Sequence, residues 1–338
     1  MGVRLKKLSE QVVVITGASS GIGLTTAKLA AERGARVVLA ARSEAGLAQA
    51  AADIERAGGT AATVIADVSK AEDAQRIAGA AIAEFGAIDT WVNNAGVSIY
   101  GRLTEIDIED ARRLFDVNFW GVVHGSNAAI PHLRAQGGAL INIGSMVSEQ
   151  AIPLQGIYVA SKHAVKGYTD TLRLELEEDG APISVTLIKP AAIDTPFFEH
   201  AKNYMEAAPK PPAPVYDPSV VARAILECAE RPVRDVFVGG GGRMIAGMGT
   251  VAPRLTDKYL ERSMFESQKY DHPGRGTDTL YAPASPEGRE RGAYDGHVMK
   301  SSAYTTAALH PVATAVVMLG VGLAAAAGWR MLQGDREV

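Results

Sequence analysis

The stretch Gln11-Val-Val-Val-Ile-Thr16-Gly-Ala-Ser-Ser-Gly-Ile-Gly23 decides the fold. Its first six residues form an apolar, β-branched run that predicts a buried strand, and Leu24 to Arg33 has the apolar spacing of a helix. Glycines between a strand and a helix permit a tight turn and let the backbone approach a pyrophosphate at the helix N-terminus. A glycine-rich surface loop would explain neither the strand before it nor the helix after it. We therefore expect a dinucleotide cradle formed by Gly17, Ser19, Ser20, Gly21, Ile22 and Gly23.

Strand-like and helix-like stretches alternate along most of the chain. This rhythm is typical of a doubly wound, mostly parallel sheet with helices on both faces. We expect an α/β, Rossmann-like fold with a seven-stranded sheet and a C-terminal extension. Ligands in such folds bind beyond the carboxyl ends of the strands. The predicted strands are Val12–Thr16, Arg36–Ala41, Ala61–Ala66, Ile88–Val92, Ala139–Ile143, Ile183–Lys189 and Asp235–Val238.

The end of the second predicted strand indicates which dinucleotide binds. An acidic residue there would hold the 2′-hydroxyl of the adenosine ribose, but the strand ends in Ala40 and Ala41 and is followed by Arg42. A guanidinium suits a 2′-phosphate, which a carboxylate would repel. A solvated surface arginine is the alternative interpretation. The pattern favours NADP(H) over NAD(H).

Tyr158 and Lys162 lie one helical turn apart, and Ser145 lies thirteen residues before the tyrosine. Residues at i and i+4 project from the same face of a helix. The lysine is therefore expected to lower the pKa of the tyrosine from about 10, towards the range of a general acid or base. The same spacing is common on ordinary amphipathic helices. Combined with the dinucleotide cradle, it predicts an NAD(P)-dependent oxidoreductase.

Over about residues 8 to 245, these motifs resemble those of the short-chain dehydrogenases/reductases. The resemblance implies that Ser145 holds the substrate oxygen, that Asn118 supports a proton relay towards Lys162, and that Tyr158 transfers the proton. The implied catalytic residues are Asn118, Ser145, Tyr158 and Lys162. The cofactor residues that the resemblance adds are Asp67 and Val68 at the adenine, Asn94, Ala95 and Gly96 beside the central sheet, Pro190, Ile193 and Thr195 at the nicotinamide carboxamide, and Tyr158 and Lys162 themselves.

Residues 191–218 follow the sixth predicted strand, where the family carries a lid over its substrate. Phe197, Phe198, Tyr204 and Met205 offer an apolar surface, and four prolines form a stiff linker that cannot continue a helix. A surface excursion packed by its own aromatic residues is the alternative. A lid of this composition suggests an apolar carbonyl or alcohol as substrate. Its first residue, Ala191, replaces the family's usual glycine, which is tolerated if its φ is negative.

The composition argues against several other functions. The chain has 338 residues, 47% hydrophobic, with a formal charge of −4, so it can bury a core and has no basic excess for nucleic acid. The seven histidines are scattered without a close cluster, so we expect no metal site. Cys228 is the single cysteine, which predicts a buried packing thiol and no intrachain disulfide. No apolar stretch precedes Ser9, so we expect no secretory signal.

The chain extends beyond the family's minimal fold. We expect residues 1–268 to form the dinucleotide-binding catalytic domain. Residues 269–306 are rich in Gly, Pro, Asp, Arg and Ser, which predicts an exposed linker. Residues 307–330 predict an apolar helix, because Val312 to Trp329 holds eighteen residues without a charge. A bilayer core needs about 20 apolar residues, with a range down to about 17, so we expect a membrane anchor; an alanine-rich helix docked on protein is the alternative.

These observations predict a hydride transfer between NADP(H) and the carbonyl or secondary alcohol of an apolar small molecule. Tyr158 is the expected general acid/base. We expect a cytoplasmic catalytic domain anchored to a membrane by its C-terminus, and the resemblance implies a homo-oligomer, either a dimer or a tetramer. A non-catalytic dinucleotide-binding sensor or scaffold protein is the competing interpretation. The presence of all four implied catalytic residues counts against it.

Overall fold

The computed structural model describes residues 3–274, 276–284 and 288–316. The strands are β1 (Val12–Thr16), β2 (Arg36–Ala41), β3 (Thr60–Ile65), β4 (Thr90–Asn93), β5 (Ile99–Tyr100), β6 (Gly138–Ile143), β7 (Ile183–Pro190), β8 (Ala192–Ile193), β9 (Lys202–Asn203), β10 (Ala207–Pro209), β11 (Val215–Tyr216), β12 (Asp235–Val238), β13 (Lys269–Pro273) and β14 (Val298–Met299). The helices are α1 (Gly21–Glu32), α2 (Glu44–Arg56), α3 (Ala71–Phe85), α4 (Ile108–Phe115), α5 (Gly121–Gln136), α6 (Gly156–Glu178), α7 (Pro218–Glu230), α8 (Gly240–Val251), α9 (Pro253–Ser267) and α10 (Ala303–Leu309).

The main sheet has the order β12-β7-β6-β4-β1-β2-β3 among the described residues, and every neighbouring pair is parallel. The predicted doubly wound fold and its seven strands are confirmed. The chain starts at β1 in the middle, builds outwards to β3, and then crosses back to β4 on the other side. The strand order therefore reverses between β1 and β4, and this is where a doubly wound sheet opens a crevice at its carboxyl edge.

Two hydrophobic layers cover the sheet because successive side chains of a strand point to opposite faces. Val13 and Ile15 of β1 pack with residues of α1, α2 and α7. Val12 and Val14 pack on the other face with residues of α3 and α5. Cys228 of α7 is buried in the first layer, as predicted. Because β1 is buried on both faces, its sequence is a continuous apolar run rather than an alternating one.

The lid, residues 191–218, is held down by short strands. Strand β8 pairs with β11, β9 pairs with β5 beside the main sheet, and β10 pairs with β13. Ala191 is outside the left-handed region, since Leu154 is the one non-glycine residue with positive φ in the described part of the chain. The alanine that replaces the family's glycine is therefore accommodated without backbone strain.

The segment after α9 differs from the exposed linker that its composition predicts. Strand β13 pairs with β10 of the lid, β14 pairs with β11, and α10 packs on β12 and α7. Leu280 is only 1% exposed, and Thr305 is also buried. The described residues of 269–306 are thus largely exposed, but they are docked on the fold by strand pairing and by a few buried side chains. The domain boundaries themselves stay a prediction.

The predicted membrane anchor lies mostly outside the described residues. Helix α10 covers the start of the predicted apolar helix, 307–330, and the description ends at residue 316. Within the described ranges, no helix is both long enough and apolar enough to cross a membrane. The membrane anchor therefore stays a prediction.

Candidate active site

Asn118 lies in a π-helical turn, Asp116–Trp120, that joins α4 to α5. Such turns are rare and frequently mark functional sites. The side-chain amide of Asn118 is fully buried and is fixed in both directions by one residue: Oδ1 accepts from the Val97 amide at 2.8 Å, and Nδ2 donates to the Val97 carbonyl at 3.0 Å. Nδ2 also lies 3.3 Å from the Ser161 hydroxyl on α6. Asn118 thus ties the loop after β4 to the helix that carries the tyrosine.

Ser145 lies just beyond β6 and begins a short 3₁₀ helix, Met146–Ser148. Its hydroxyl accepts a hydrogen bond from the Val147 amide at 3.3 Å, and it lies close enough to the hydroxyl of Tyr158 to lower the pKa of that phenol. The capping bond fixes the position of the serine hydroxyl. The structure therefore places the serine and tyrosine hydroxyls side by side, as their expected joint contact with one substrate oxygen requires.

Tyr158 and Lys162 share one buried face of α6, as their spacing predicts. Nζ of Lys162 is 5.6 Å from the centroid of the Tyr158 ring and donates a hydrogen bond to the Ile143 carbonyl at 2.8 Å. The tyrosine ring also packs against Phe197 of the lid, with ring centroids 5.6 Å apart. The phenol thus lies next to both a cation and an apolar ring.

The pKa values correct one expectation. Burial raises the pKa of Tyr158 to about 12, although the neighbouring Ser145 hydroxyl opposes the rise. Burial also lowers the pKa of Lys162 to about 8. The lysine was expected to lower the pKa of the tyrosine, but desolvation of a charged phenolate determines the direction here. At neutral pH the tyrosine is therefore protonated and the lysine is mostly charged.

The glycine turn has the form that the sequence predicts. Gly17 and Gly21 have φ values of +67° and +54°, which favour glycine. A Cβ on Gly23 would come 2.2 Å from the Gly17 carbonyl oxygen, so Gly23 lets α1 pack against the turn. Asn94 closes the turn from the neighbouring strand, because its Nδ2 donates to the Thr16 carbonyl at 2.9 Å and to the Gly17 carbonyl at 3.2 Å.

At the opposite end of the cleft, Asp67 follows β3 and is held by Ser69 and Arg113. Its carboxylate lies 2.6 Å from the Arg113 guanidinium and accepts from the Ser69 hydroxyl at 2.8 Å. Although burial opposes it, these bonds lower the pKa of Asp67, so this carboxylate is ionised at neutral pH. Arg42 lies beside this pair, and its guanidinium donates to the Thr279 carbonyl at 2.5 Å.

One cavity joins these parts. Two of the predicted site residues are not part of its lining: Gly23 packs against Gly17, and Asn118 packs against Val97. The predicted residues that line it are Gly17, Ser19, Ser20, Gly21, Ile22, Arg42, Asp67, Val68, Asn94, Ala95, Gly96, Ser145, Tyr158, Lys162, Pro190, Ile193 and Thr195. Their individual roles stay predictions, but the structure brings them to one cleft at the carboxyl edge of the sheet.

The lining is compatible with a dinucleotide. Buried hydroxyls and a lysine lie at one end, a glycine turn at a helix N-terminus lies in the middle, and Arg42 lies at the other end. This sequence of groups matches a reactive ring, two phosphates and an adenosine. A Cβ on Gly21 would come 3.2 Å from the Thr195 side chain across the cleft, so a larger residue would obstruct the middle of the cavity.

Residues from the C-terminal extension contribute to the same cavity, which the sequence did not predict. Thr279 and Pro283 are part of the lining, and Arg113 connects Asp67 to the Leu280 carbonyl at 3.2 Å. A backbone carbonyl carries no residue-type signal, so nothing local in the sequence marks these contacts.

The comparisons with known proteins agree with this geometry. A family model described as short chain dehydrogenase matches residues 11–205. The uncharacterized oxidoreductase YxnA of Bacillus subtilis is 46% identical over 330 residues, which is 96% of this chain and 92% of that protein. The 11-beta-hydroxysteroid dehydrogenase A of Sesamum indicum is 41% identical over 187 residues, but this match covers only 55% of this chain and 53% of that protein. The match to YxnA thus includes most of the C-terminal extension.

Two solved structures are similar to this one. A short-chain dehydrogenase/reductase from Burkholderia phymatum in complex with NAD gives a TM-score of 0.68 at 28% identity, covering 74% of this chain and 96% of that chain. An alcohol dehydrogenase from Thermococcus sibiricus complexed with 5-hydroxy-NADP gives a TM-score of 0.60 at 28% identity, covering 67% of this chain and 95% of that chain. The first of those proteins is in complex with NAD and the second with 5-hydroxy-NADP.

Proposed function

Because the chain belongs to the short-chain dehydrogenase family and is an NAD(P)-dependent oxidoreductase, we propose that it reduces an apolar ketone or aldehyde with NADPH. The observation that carries the proposal is the placement of Tyr158. Its hydroxyl lies near that of Ser145, its ring lies beside Lys162, and its ring also packs against Phe197 of the lid.

The residues divide the work at the substrate oxygen. The nicotinamide, when bound, supplies or accepts the hydride. Ser145 donates a hydrogen bond to the carbonyl oxygen and orients it, and Tyr158 gives its proton to that oxygen as the alcohol forms. The charge of Lys162 then stabilises the phenolate. Asn118, fixed to the Val97 backbone, supports the path by which the tyrosine is reprotonated.

The protonation states support the reductive direction. With its pKa raised to about 12, Tyr158 carries its proton at neutral pH and can donate it. Taking a proton from an alcohol would first require the phenol to ionise in a buried site, where desolvation disfavours the charge. The oxidised cofactor's positive ring would lessen that cost. Reduction therefore starts from the protonated tyrosine, whereas oxidation first requires the tyrosine to lose its proton.

The substrate end of the cavity supports an apolar substrate. Phe197 and Phe198 of the lid line it with ring centroids 5.8 Å apart at nearly right angles. The other apolar residues of this wall are Met146, Val147, Ile152 and Ile193. Apolar walls with a few convergent polar groups are typical of small-molecule sites.

The preference for NADP(H) is supported by Arg42. This residue follows β2 and lines the adenosine end of the cavity, while Ala40 and Ala41 leave that strand end without a carboxylate. A guanidinium suits a 2′-phosphate. The homo-oligomeric state stays a prediction.

The proposal is tested by following NADPH and NADH oxidation with a panel of apolar ketones and aldehydes, beside polar ones of the same size. We expect turnover of apolar compounds, with a larger kcat/KM for NADPH than for NADH. If the protein binds the cofactor tightly but reduces none of the compounds and oxidises none of the matching alcohols, it is instead a dinucleotide-binding sensor or scaffold.

A further inference from the structure

Two stretches of the C-terminal extension cross the cofactor cleft. We name them the strap, meaning the described residues 278–284 and 288–293. Each stretch is bonded on one side to the wall formed by the ends of the strands and helix α1, and on the other side to the lid. The contacts of the two stretches are independent of each other.

The first stretch spans the adenosine end. Arg42 donates to the Thr279 carbonyl at 2.5 Å and to the Leu280 carbonyl at 3.3 Å, and Arg113 donates to the Leu280 carbonyl at 3.2 Å. On the lid side, the Thr279 amide donates to the His200 carbonyl at 3.0 Å. Arg42, which lines the adenosine end, and Arg113, which pairs with Asp67 there, therefore also hold the backbone of the strap.

The second stretch spans the phosphate turn. The Gly21 amide, at the start of α1, donates to the Arg289 carbonyl at 2.9 Å, and Glu290 forms an ion pair with Lys28 of the same helix at 3.0 Å. On the lid side, Arg289 forms an ion pair with Glu199 at 3.0 Å. This stretch thus lies over the glycine turn where the pyrophosphate is expected.

An apolar side chain anchors the strap. Leu280 is buried in a cluster with Val68, Leu114 and Val117. Val68 and Val117 also line the cavity, as do Thr279 and Pro283 of the strap itself. The anchor therefore packs directly behind the adenosine end, so that displacing Leu280 would open that end.

The strap and the lid share one carboxylate. Asp110 of α4 accepts from the Tyr281 hydroxyl of the strap at 2.8 Å and from the Tyr204 hydroxyl of the lid at 2.7 Å. Lys202 of the lid also forms an ion pair with Asp278 of the strap at 3.4 Å. Because both elements are bonded to each other and to the same residue of α4, one cannot move far without releasing the other.

We propose that the strap is the outer wall of the cofactor site, and that the dinucleotide enters and leaves only when the strap and the lid open together. The inference rests on the proposed function only in that the chain must bind a nicotinamide dinucleotide. The strap's bonds over the adenosine end and over the phosphate turn must then break before the cofactor leaves, and the described residues 278–284 and 288–293 set the rate of that step.

The test measures cofactor release directly. The rate of NADPH dissociation is followed by stopped-flow fluorescence after a chase with excess NADP⁺, in the full-length chain. Tyr281→Phe removes the bond to Asp110 but keeps the ring. Gly292→Ala places a Cβ 2.6 Å from the Thr195 carbonyl oxygen, so the strap must lift. The matched controls are Tyr259→Phe on the half-exposed side of α9, and Gly79→Ala in α3, where no atom lies within 4 Å of the new methyl.

Tyr281→Phe should raise the NADPH dissociation rate by about tenfold, the effect of losing one bond to a charged group, and Gly292→Ala by at least as much. The two controls should stay within about twofold of the parent. In addition, bound NADPH should slow hydrogen exchange of the amides in residues 278–284 of the parent protein.

The inference would be overturned if both strap variants released NADPH at the parental rate and if NADPH left the hydrogen exchange of residues 278–284 unchanged. The oxidoreductase assignment would then remain intact. A parent protein that binds neither NADPH nor NADH would overturn both. Misfolding is detected separately by comparing the melting temperature of each variant with that of its matched control.

Discussion

The two ends of the cleft are built in different ways. At the catalytic end, the side chains of Asn118, Ser145, Tyr158 and Lys162 are all buried, and they bond to backbone atoms or to each other within the core of the fold. At the end that faces the phosphates and the adenosine, charged side chains form partly exposed pairs, and Thr279 and Pro283 of the strap are part of the lining.

The difference in burial has electrical consequences. Burial at the catalytic end disfavours the charged form of each group, so the pKa of Tyr158 rises and that of Lys162 falls. Partly exposed pairs at the adenosine end are screened by salt and contribute about 0–1 kcal/mol each. The catalytic end is thus suited to chemistry whose protonation states must be fixed before the substrate binds. The other end is suited to a wall that opens and closes.

The catalytic end is tested most severely by Tyr158→Phe. The variant keeps the ring that packs on Phe197 but loses the exchangeable proton, so turnover should fall by about 10²–10⁴-fold. NADPH affinity should remain close to that of the parent. Steady-state kinetics and a fluorescence titration measure the two quantities, with Tyr259→Phe as the control. Turnover within about threefold of the parent would remove Tyr158 from the proton-transfer step.

The adenosine end is tested by Arg42→Gln, measured with both cofactors. Loss of a charge-assisted contact to a 2′-phosphate, about 1.5–3 kcal/mol, should weaken NADPH by about 10–100-fold. Loss of the bonds to the Thr279 and Leu280 carbonyls should weaken NADH as well, but less. The ratio of the two dissociation constants therefore measures the contact with the 2′-phosphate. The factor by which both constants rise measures the loss of the bonds to the strap.

Arg254→Gln, on the exposed face of α9, serves as the control for this substitution. An equal loss of affinity for the two cofactors would mean that Arg42 only anchors the strap and that the preference for NADP(H) has another origin or does not exist.

The features that the sequence predicts and those that it does not predict also differ between the two ends. The turn from Gly17 to Gly23 could be predicted because the local backbone conformation or close packing at each of these glycines requires a residue without a side chain. The face shared by Tyr158 and Lys162 follows from helical spacing alone. Both are short-range relations, and the structure confirms the strands and the geometry that they predict.

The features that were missed depend on distant parts of the chain. The raised pKa of Tyr158 comes from burial by the lid and the core, which spacing does not reveal. The π-helical turn at Asn118 interrupts an otherwise helical pattern. Arg42 donates to a backbone carbonyl of the strap that lies 237 residues further along the chain, and any residue type could supply that carbonyl. Composition correctly showed the strap to be polar, but polarity did not determine whether it was docked.

A third prediction sharpens the electrical comparison. Burial lowers the pKa of Lys162 from 10.5 to about 8. Between these pH values the unfolded chain binds this proton and the folded chain does not. The free energy of unfolding should therefore rise with pH in this window, by at most about 1.4 kcal/mol per pH unit. Lys162→Met should lack this contribution.

The measurement is urea unfolding at pH 7, 8 and 9, taken as the difference between parent and variant. That difference should shift in favour of the parent above pH 8. Lys258→Met, at an exposed position of α9, should run parallel to the parent. Parallel curves for Lys162→Met as well would mean that Lys162 is not desolvated in the folded protein.

The smallest expected effect concerns the salt sensitivity of the strap. Glu290 and Lys28 are 35% and 27% exposed, so their ion pair is screened and should contribute no more than about 1 kcal/mol. Glu290→Gln should therefore raise the NADPH dissociation rate by no more than about fivefold at low salt. High salt should bring the parent towards the variant's rate, because screening removes the same attraction.

The exposed substitution Glu177→Gln should change neither the rate nor its salt dependence. If instead Glu290→Gln releases NADPH faster than the parent by the same factor at every salt concentration, the screened ion pair with Lys28 is not what holds this stretch of the strap. The phosphate end of the cleft would then resemble the catalytic end more closely than the exposure of its charges indicates.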